Sequence, residues 1–214
     1  MATDAHVTPS RVRRAALLHG IYAIVNESAG ALELARACVD AGIRIVQYRA
    51  KRGIVAGTLQ SLRTLTRDWG ALLIVNDDAE AAVEFDCDGV HLGPGDDGFA
   101  DVAGVRARVE QRLIGLSCGT EAEARAAGDA DYLGVGSVYC SASKDDAGEP
   151  IGIAGLLRVA RASALPVAAI GGIDAFTIAD VRRSGVAMAA VISAVSAARD
   201  PRAAAEALVR VWRA

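Results

Sequence analysis

Ile43-Arg44-Ile45-Val46-Gln47-Tyr48-Arg49-Ala50-Lys51 is an apolar run that turns polar at every second residue toward its end. In an extended strand, residues two apart point to the same side, so this spacing predicts that Gln47, Arg49 and Lys51 project together from the C-terminal tip of one strand. An amide and two cations then converge on one small volume. On a lone strand such charges serve equally well to keep an edge from pairing. Repetition favours a site, because later apolar runs also end in polar residues or glycine.

Outward from this stretch, short β-rich runs alternate with longer segments of helical period. The predicted strands occupy residues 21–25, 43–49, 72–76, 89–92, 112–117, 132–138, 167–170 and 188–192. Between them lie Ala-, Leu- and Arg-rich segments such as 31–41, where Leu32, Ala35 and Val39 recur at helical spacing. Gly42, Gly70 and Gly185 sit where a helix C-terminus needs a left-handed residue. Thr120 with Glu123 reads as a capping box, and Asp174 and Asp200 as N-caps, the latter followed by Pro201 at the first helical position. The strands are apolar on both faces, as in a parallel sheet enclosed by helices. Eight βα units predict a (β/α)8 TIM barrel over residues 20–214, preceded by a tail or extra helical turn at residues 1–19. An open doubly wound sheet would place its site at a switch point, but no G-x-G-x-x-G follows the first strand.

Composition limits the partners. Among 214 residues, 23 basic and 26 acidic side chains leave no cationic surplus for nucleic acid or an anionic membrane, so any anion must be held locally. The four cysteines, Cys38, Cys87, Cys118 and Cys140, lie far apart without a C-x-x-C pair, which argues against zinc or a disulfide framework and for a reducing, cytoplasmic setting. The apolar run after Arg11, Arg13 and Arg14 is too short for a signal-peptide core, and no stretch approaches the roughly 20 apolar residues of a membrane span. A cytoplasmic enzyme with small-molecule partners is expected, compatible with a homo-oligomer.

At the strand ends stand Gln47, Arg49 and Lys51, then Asn76-Asp77-Asp78, Asp96, Ser117, the run Ser141-Ala142-Ser143-Lys144, Gly171-Gly172, and Ile192-Ser193. Acids on neighbouring strand ends beside cations suit Mg²⁺ with a diphosphate: carboxylate oxygens hold the hard cation, and Arg and Lys balance the remaining phosphate charge. Asn76-Asp77-Asp78 reads equally as a helix N-cap, and one aspartate can cap while the other ligates. Gly171-Gly172 offers backbone N–H groups with no side chain in the way, after the strand where barrels commonly bind phosphate. The hydroxyls and ammonium of residues 141–144 would donate to departing pyrophosphate, from a loop able to close over substrate. His91 reads as a hydrogen-bonded interior residue more than as an acid or base. Cys118 and Cys140 read as small packing residues.

With these residues assembled, the chain resembles the thiamine phosphate synthase family. The resemblance rests on Val46-Gln47-Tyr48-Arg49-Ala50-Lys51, Val75-Asn76-Asp77, Asp88-Gly89-Val90-His91-Leu92-Gly93 with Asp96, Ile114-Gly115-Leu116-Ser117, Gly134-Val135-Gly136 leading to Lys144, and Ala169-Ile170-Gly171-Gly172-Ile173. It implies a barrel enzyme, a transferase that joins a pyrimidine methyl diphosphate to a thiazole phosphate, releasing pyrophosphate. It implies that Gln47, Tyr48, Arg49, Ala50, Lys51, Asn76, Ser117 and Lys144 contact the pyrimidine diphosphate, with Arg49, Lys51, Ser117 and Lys144 serving the bond cleavage. It further implies Mg²⁺ on Asp77 and Asp96, and the thiazole phosphate on Ser141, Ala142, Ser143, Gly172, Ile192 and Ser193.

Some positions depart from the family pattern. Serines replace the usual threonines before Lys144, Pro94-Gly95 replaces a glutamine and an acid before Asp96, and Asp78 stands where a basic residue is common. Two other classes remain: a thiazole tautomerase, which would use a histidine after the fifth strand where Ser117-Cys118-Gly119-Thr120 has none, and a non-catalytic phosphate-binding barrel, which would not need Asp77, Asp96 and Lys144 together.

Overall fold

The structure, a computed structural model, describes residues 10–140 and 149–214. In chain order the elements are α1 (Arg11–Ala15), β1 (Gly20–Asn26), α2 (Ala31–Asp40), β2 (Ile45–Arg49), α3 (Ala56–Asp68), β3 (Leu72–Asn76), α4 (Ala79–Glu84), β4 (Gly89–Leu92), α5 (Val102–Val109), β5 (Leu113–Cys118), α6 (Glu121–Arg125), β6 (Tyr132–Val135), α7 (Gly152–Arg161), β7 (Val167–Ile170), α8 (Ile178–Arg183), β8 (Met188–Val191), α9 (Ser193–Ser196) and α10 (Pro201–Arg213). The strands pair in sequence order, all parallel, and β8 returns to β1 to close the barrel. Among the described residues no helix is long and apolar enough to cross a membrane.

Local chemistry sets the element ends. Gly42 (φ +96°) and Gly70 (φ +60°) follow α2 and α3 in left-handed conformations. In each case the next residue reaches back to close the cap: Ile43 N–H donates to Cys38 O at 3.1 Å and Ala71 N–H to Thr66 O at 2.8 Å. Because Ile43 is committed to that cap, β2 starts at Ile45 and not at 43. Asp86 plays the same part after α4 at φ +48°, a role its identity does not announce. The Thr120–Glu123 capping box and the Asp200 cap of α10 form as expected. Asp174 does not cap α8; that helix starts later, after Thr177, and the Asp174 carboxylate accepts from Phe176 N at 2.9 Å and Thr177 N at 3.0 Å to close the preceding turn.

Alternation along each strand sends one set of side chains outward and one inward. The outward set, including Val46, Tyr48, Leu73, Val75, Val90 and Ile114, packs under the helices in the large outer core. The inward set fills the barrel with Tyr22, Ile24, Ile45, Leu72, Ile74, Leu113, Tyr132 and Met188. The end opposite the mouth, where the strands begin, is closed by charge. Asp88, just before β4, accepts from Arg14 Nε at 3.0 Å, Arg63 Nη1 at 2.7 Å and the Leu73 amide at 2.9 Å. Asp131, just before β6, repeats the arrangement with Arg11, Arg106 and the Ile114 amide. Arg14 brings α1 into this network and Leu18 packs inside the barrel, so residues 10–19 plug the N-terminal end.

The buried Asp88 is therefore structural although it opens one of the motifs that carry the resemblance. Asp88→Ala strands two guanidinium groups and should destabilise the fold by about 3–5 kcal/mol, the usual cost of breaking a buried ion pair. A urea midpoint close to the parent's would contradict this, and KM values should stay unchanged while the variant is folded.

Candidate active site at the barrel mouth

A cavity of about 540 Å³ opens at the C-terminal ends of the strands. The strand β2 contributes Gln47, Arg49 and Lys51 to its wall, so the alternation that predicts a shared face holds. Gln47 is buried and donates from Nε2 to Tyr22 Oη at 2.7 Å. Arg49 reaches Asn26 Oδ1 at 3.4 Å across the mouth of β1.

Asn76 and Asp77 follow on the wall after β3. The two aspartates divide the work: Asp78 caps α4 by accepting from the Ala81 amide at 2.8 Å, while Asp77 (φ +69°) turns into the cavity wall with its amide on His91 O at 2.8 Å. Asp96 joins from the loop after β4, held by the Gly93 amide at 2.5 Å, and Ser117 joins from β5. A Cβ on Gly93 would lie 3.3 Å from Asp96 Oδ2 and 3.6 Å from Ser117 Oγ, so these two groups are near neighbours. Among the described residues no group of three or more His, Cys, Asp or Glu side chains could by itself hold a metal ion. Two carboxylates on one wall suit Mg²⁺, which keeps waters and takes its remaining ligands from substrate phosphates.

Gly171, Gly172, Ile192 and Ser193 form the opposite wall. The segment after β6 lies against them: Val138 N–H donates to Ile170 O at 2.8 Å and Tyr139 N–H to Gly171 O at 3.0 Å. This is also why β6 stops at Val135 and not at 138: the chain leaves the ladder to follow the end of β7. Ser141, Ala142, Ser143 and Lys144 lie outside the described residues. The chain on either side of them is tied to the barrel rim, since the Ile151 and Gly152 amides donate to Ser137 O at 2.9 Å and Val138 O at 3.0 Å.

Two candidate residues are not brought into the cavity wall. Tyr48 points outward, where its hydroxyl donates to the Glu27 carboxylate and accepts from Val55 N at 3.2 Å; burial, then the Glu27 carboxylate, pushes its pKa up to about 12. Ala50, also outward, packs against the outer core. The period of two that selects Gln47, Arg49 and Lys51 excludes both. Tyr48 instead ties the loop after β2 to the loop after β1. Cys118 is buried on the cavity wall and its thiol is pushed up to about 11 by burial, whereas Cys140 is exposed and does not pack as expected.

Three aromatic side chains under the mouth carry more than the sequence discloses. Tyr22 and His91 line the cavity, and Tyr132 lies between them, with its Oη 2.8 Å from Tyr22 Oη and 3.1 Å from His91 Nδ1. His91 is the hydrogen-bonded interior residue expected, its Nε2 lying 3.1 Å from Ser117 Oγ. The signal is the pair Gly115 and Gly134 at inward positions on β5 and β6, the first leaving space for Tyr132 and His91 and the second for His91.

The family model for thiamine monophosphate synthase matches residues 21–195. The chain belongs to the thiamine monophosphate synthase family. It is 41% identical over 200 residues to the thiamine-phosphate synthase of Archaeoglobus fulgidus, covering 90% of this chain and 93% of the relative. Identity to the thiamine-phosphate synthase of Geobacillus thermodenitrificans is 35% over 219 residues, with 98% and 97% covered. Among solved structures, the thiamine phosphate pyrophosphorylase from Pyrococcus furiosus superposes with a TM-score of 0.83 at 33% identity, covering 94% of this chain and 98% of that one. The family match spans the barrel from the second residue of β1 through β8, and all the wall residues described above.

Within this member of the family, Gly172 has two reasons to remain glycine. It is left-handed at φ +63°, and a Cβ there would sit 2.4 Å from Cys140 O and 2.7 Å from Tyr139 Cβ. A side chain at Gly172 meets the protein before it meets a ligand. Gly172→Ala should lose about 1–2 kcal/mol from the backbone conformation alone, lowering Tm by roughly 2–8 °C, and should speed proteolysis near residues 139–150. A variant that melts with the parent would show that the segment yields without cost.

Proposed function

We propose that the chain is a thiamine-phosphate synthase: it joins an aminopyrimidine methyl diphosphate to a thiazole phosphate, forming thiamine phosphate and pyrophosphate. The observation that carries this reading is one cavity in which Arg49, Lys51, Asp77, Asp96 and Ser117 line the same wall region and Gly171-Gly172 the other. Cations and carboxylates on one side suit a diphosphate with its metal, and glycine amides opposite suit a second, singly phosphorylated substrate.

The bond that breaks joins the methylene carbon to the diphosphate oxygen, and its electron pair leaves with pyrophosphate. The amino group of the pyrimidine donates electron density toward that carbon, and the thiazole nitrogen then forms the new C–N bond with its lone pair. No protein nucleophile is required. Arg49 and Lys51 would balance the charge growing on the leaving group, and Lys144 would add a third cation. Asn76 and Gln47 would orient the pyrimidine, and the backbone at Gly172, Ile192 and Ser193, with Ser141 to Ser143, would hold the thiazole phosphate. Asp77 and Asp96 would hold Mg²⁺, which when bound supplies Lewis-acid stabilisation of the diphosphate oxygens. The deciding assay is pyrophosphate release with both substrates and Mg²⁺; a folded, inactive chain would sink the proposal. A thiazole tautomerase would turn over its thiazole without the pyrimidine diphosphate.

Asp77→Asn and Asp96→Asn test the metal assignment. Asparagine tolerates the left-handed backbone at residue 77, so each variant should fold normally yet lose most activity at limiting Mg²⁺, with partial recovery at high Mg²⁺. Near-parental rates at limiting Mg²⁺ in both would remove these residues from the metal site.

Lys144→Ala should lower kcat more than it raises KM, by ~10²–10³, the scale for losing one well-placed charge-stabilising donor. Lys144→Arg should recover only part, because a planar fork does not reproduce a compact ammonium. Single-turnover chemistry is the measurement; an unchanged rate with altered product release would make Lys144 a gate and not a participant in cleavage.

A further inference from the structure

Under the mouth, the polar side chains facing the barrel axis form one continuous series of hydrogen bonds. Gln47 Nε2 donates to Tyr22 Oη at 2.7 Å, Tyr22 Oη lies 2.8 Å from Tyr132 Oη, Tyr132 Oη lies 3.1 Å from His91 Nδ1, and His91 Nε2 lies 3.1 Å from Ser117 Oγ. Each phenol has a single hydrogen and two lone pairs, so the direction of the series follows from which acceptor is left for each hydrogen. The Gln47 amide nitrogen is a donor only. Tyr22 accepts from Gln47, and among the described residues the acceptor left for its own buried hydrogen is Tyr132 Oη, which leaves the Tyr132 hydrogen for His91 Nδ1. A neutral imidazole that accepts at Nδ1 carries its proton on Nε2 and donates it to Ser117 Oγ. The Ser117 hydrogen is then left for an acceptor in the cavity that Ser117 lines.

We infer that Gln47, acting through Tyr22, Tyr132 and His91, holds Ser117 as a hydrogen-bond donor toward the substrate, which makes the two tyrosines and the histidine positioning residues for bond cleavage. This rests on the synthase reading, in which the acceptor that gains most is a diphosphate oxygen collecting charge as it departs. The space for the series is reserved at two strand positions. A Cβ on Gly115 would fall 2.1 Å from Tyr132 Cζ and 2.5 Å from His91 Nδ1, and one on Gly134 would fall 2.9 Å from His91 Cε1. Burial raises the pKa of Tyr22 and of Tyr132 well above the usual phenol value, so both keep the hydrogens that the series requires.

The reverse direction is equally concrete. With the Gln47 carbonyl toward Tyr22, every hydrogen turns round, His91 carries its proton on Nδ1, and Ser117 offers the substrate only lone pairs. The His91 tautomer therefore separates the two. Long-range proton–nitrogen correlation spectra of the intact protein with isotope-labelled histidines, assigned with His91→Gln, should show a neutral ring protonated at Nε2. Tyr132→Phe should abolish that preference and slow the single-turnover rate by about three- to tenfold, the scale of one neutral hydrogen bond, with the KM for the thiazole phosphate unchanged. Tyr132→Phe combined with Ser117→Ala should be no slower than Ser117→Ala alone, since both act through one hydrogen. A proton on Nδ1, a doubly protonated ring, or additive losses in the double variant would overturn the inference. If the parent released no pyrophosphate, the synthase reading would fail, yet the tautomer, which needs no turnover, would still support or overturn the direction of the series.

Discussion

The pairing of β8 with β1, in which Gly20, Ile21, Tyr22 and Ala23 lie opposite Met188, Ala189, Ala190 and Val191, is the contact on which everything else depends. An open parallel sheet has two edges and gathers ligands at a switch point between strands. Closure removes both edges, gives all the strand tips a common rim, and encloses an interior into which only alternate residues project. Gln47 from β2 and Ser117 from β5 can share one hydrogen-bonded series only because the sheet curves until opposite strands face each other.

Closure also separates two kinds of polar residue. Where the strands begin, Asp88 and Asp131 each take two arginines and one strand amide, so both carboxylates are held inside the protein. Where the strands end, Arg49, Lys51, Asp77 and Asp96 line an open cavity. Asp88 and His91 stand three residues apart in one motif and fall at opposite ends of β4, so proximity in the chain says little about shared purpose.

Inside the barrel, glycine sets what can be polar. Gly115 and Gly134 leave room for Tyr132 and His91, while Gly171 and Gly172 allow the segment after β6 to lie directly on the end of β7. In both places a missing Cβ is occupied by another part of the protein. Gly171-Gly172, expected from the sequence as space for a phosphate, also seats Ser137, Tyr139 and Cys140, so this wall of the cavity and the end of the segment after β6 are one assembly.

What the sequence by itself determined was whatever depends on local periodicity. Alternation placed Gln47, Arg49 and Lys51 on one face, the eightfold recurrence of apolar runs gave the barrel, and glycine and Thr-Glu spacing marked the helix ends at Gly42, Gly70 and Thr120. The resemblance implied Tyr48 and Ala50 as contacts too, and the structure leaves both out of the cavity wall because the same alternation turns them outward. Only the tertiary structure decided which of Asp77 and Asp78 caps the helix, that Asp174 closes a turn, that Cys140 is exposed, and that Tyr22, Tyr132 and His91 form one series. Those outcomes depend on register between strands far apart in the chain, and a cross-barrel hydrogen bond such as Tyr22 to Tyr132 joins residues with no periodic relation in sequence.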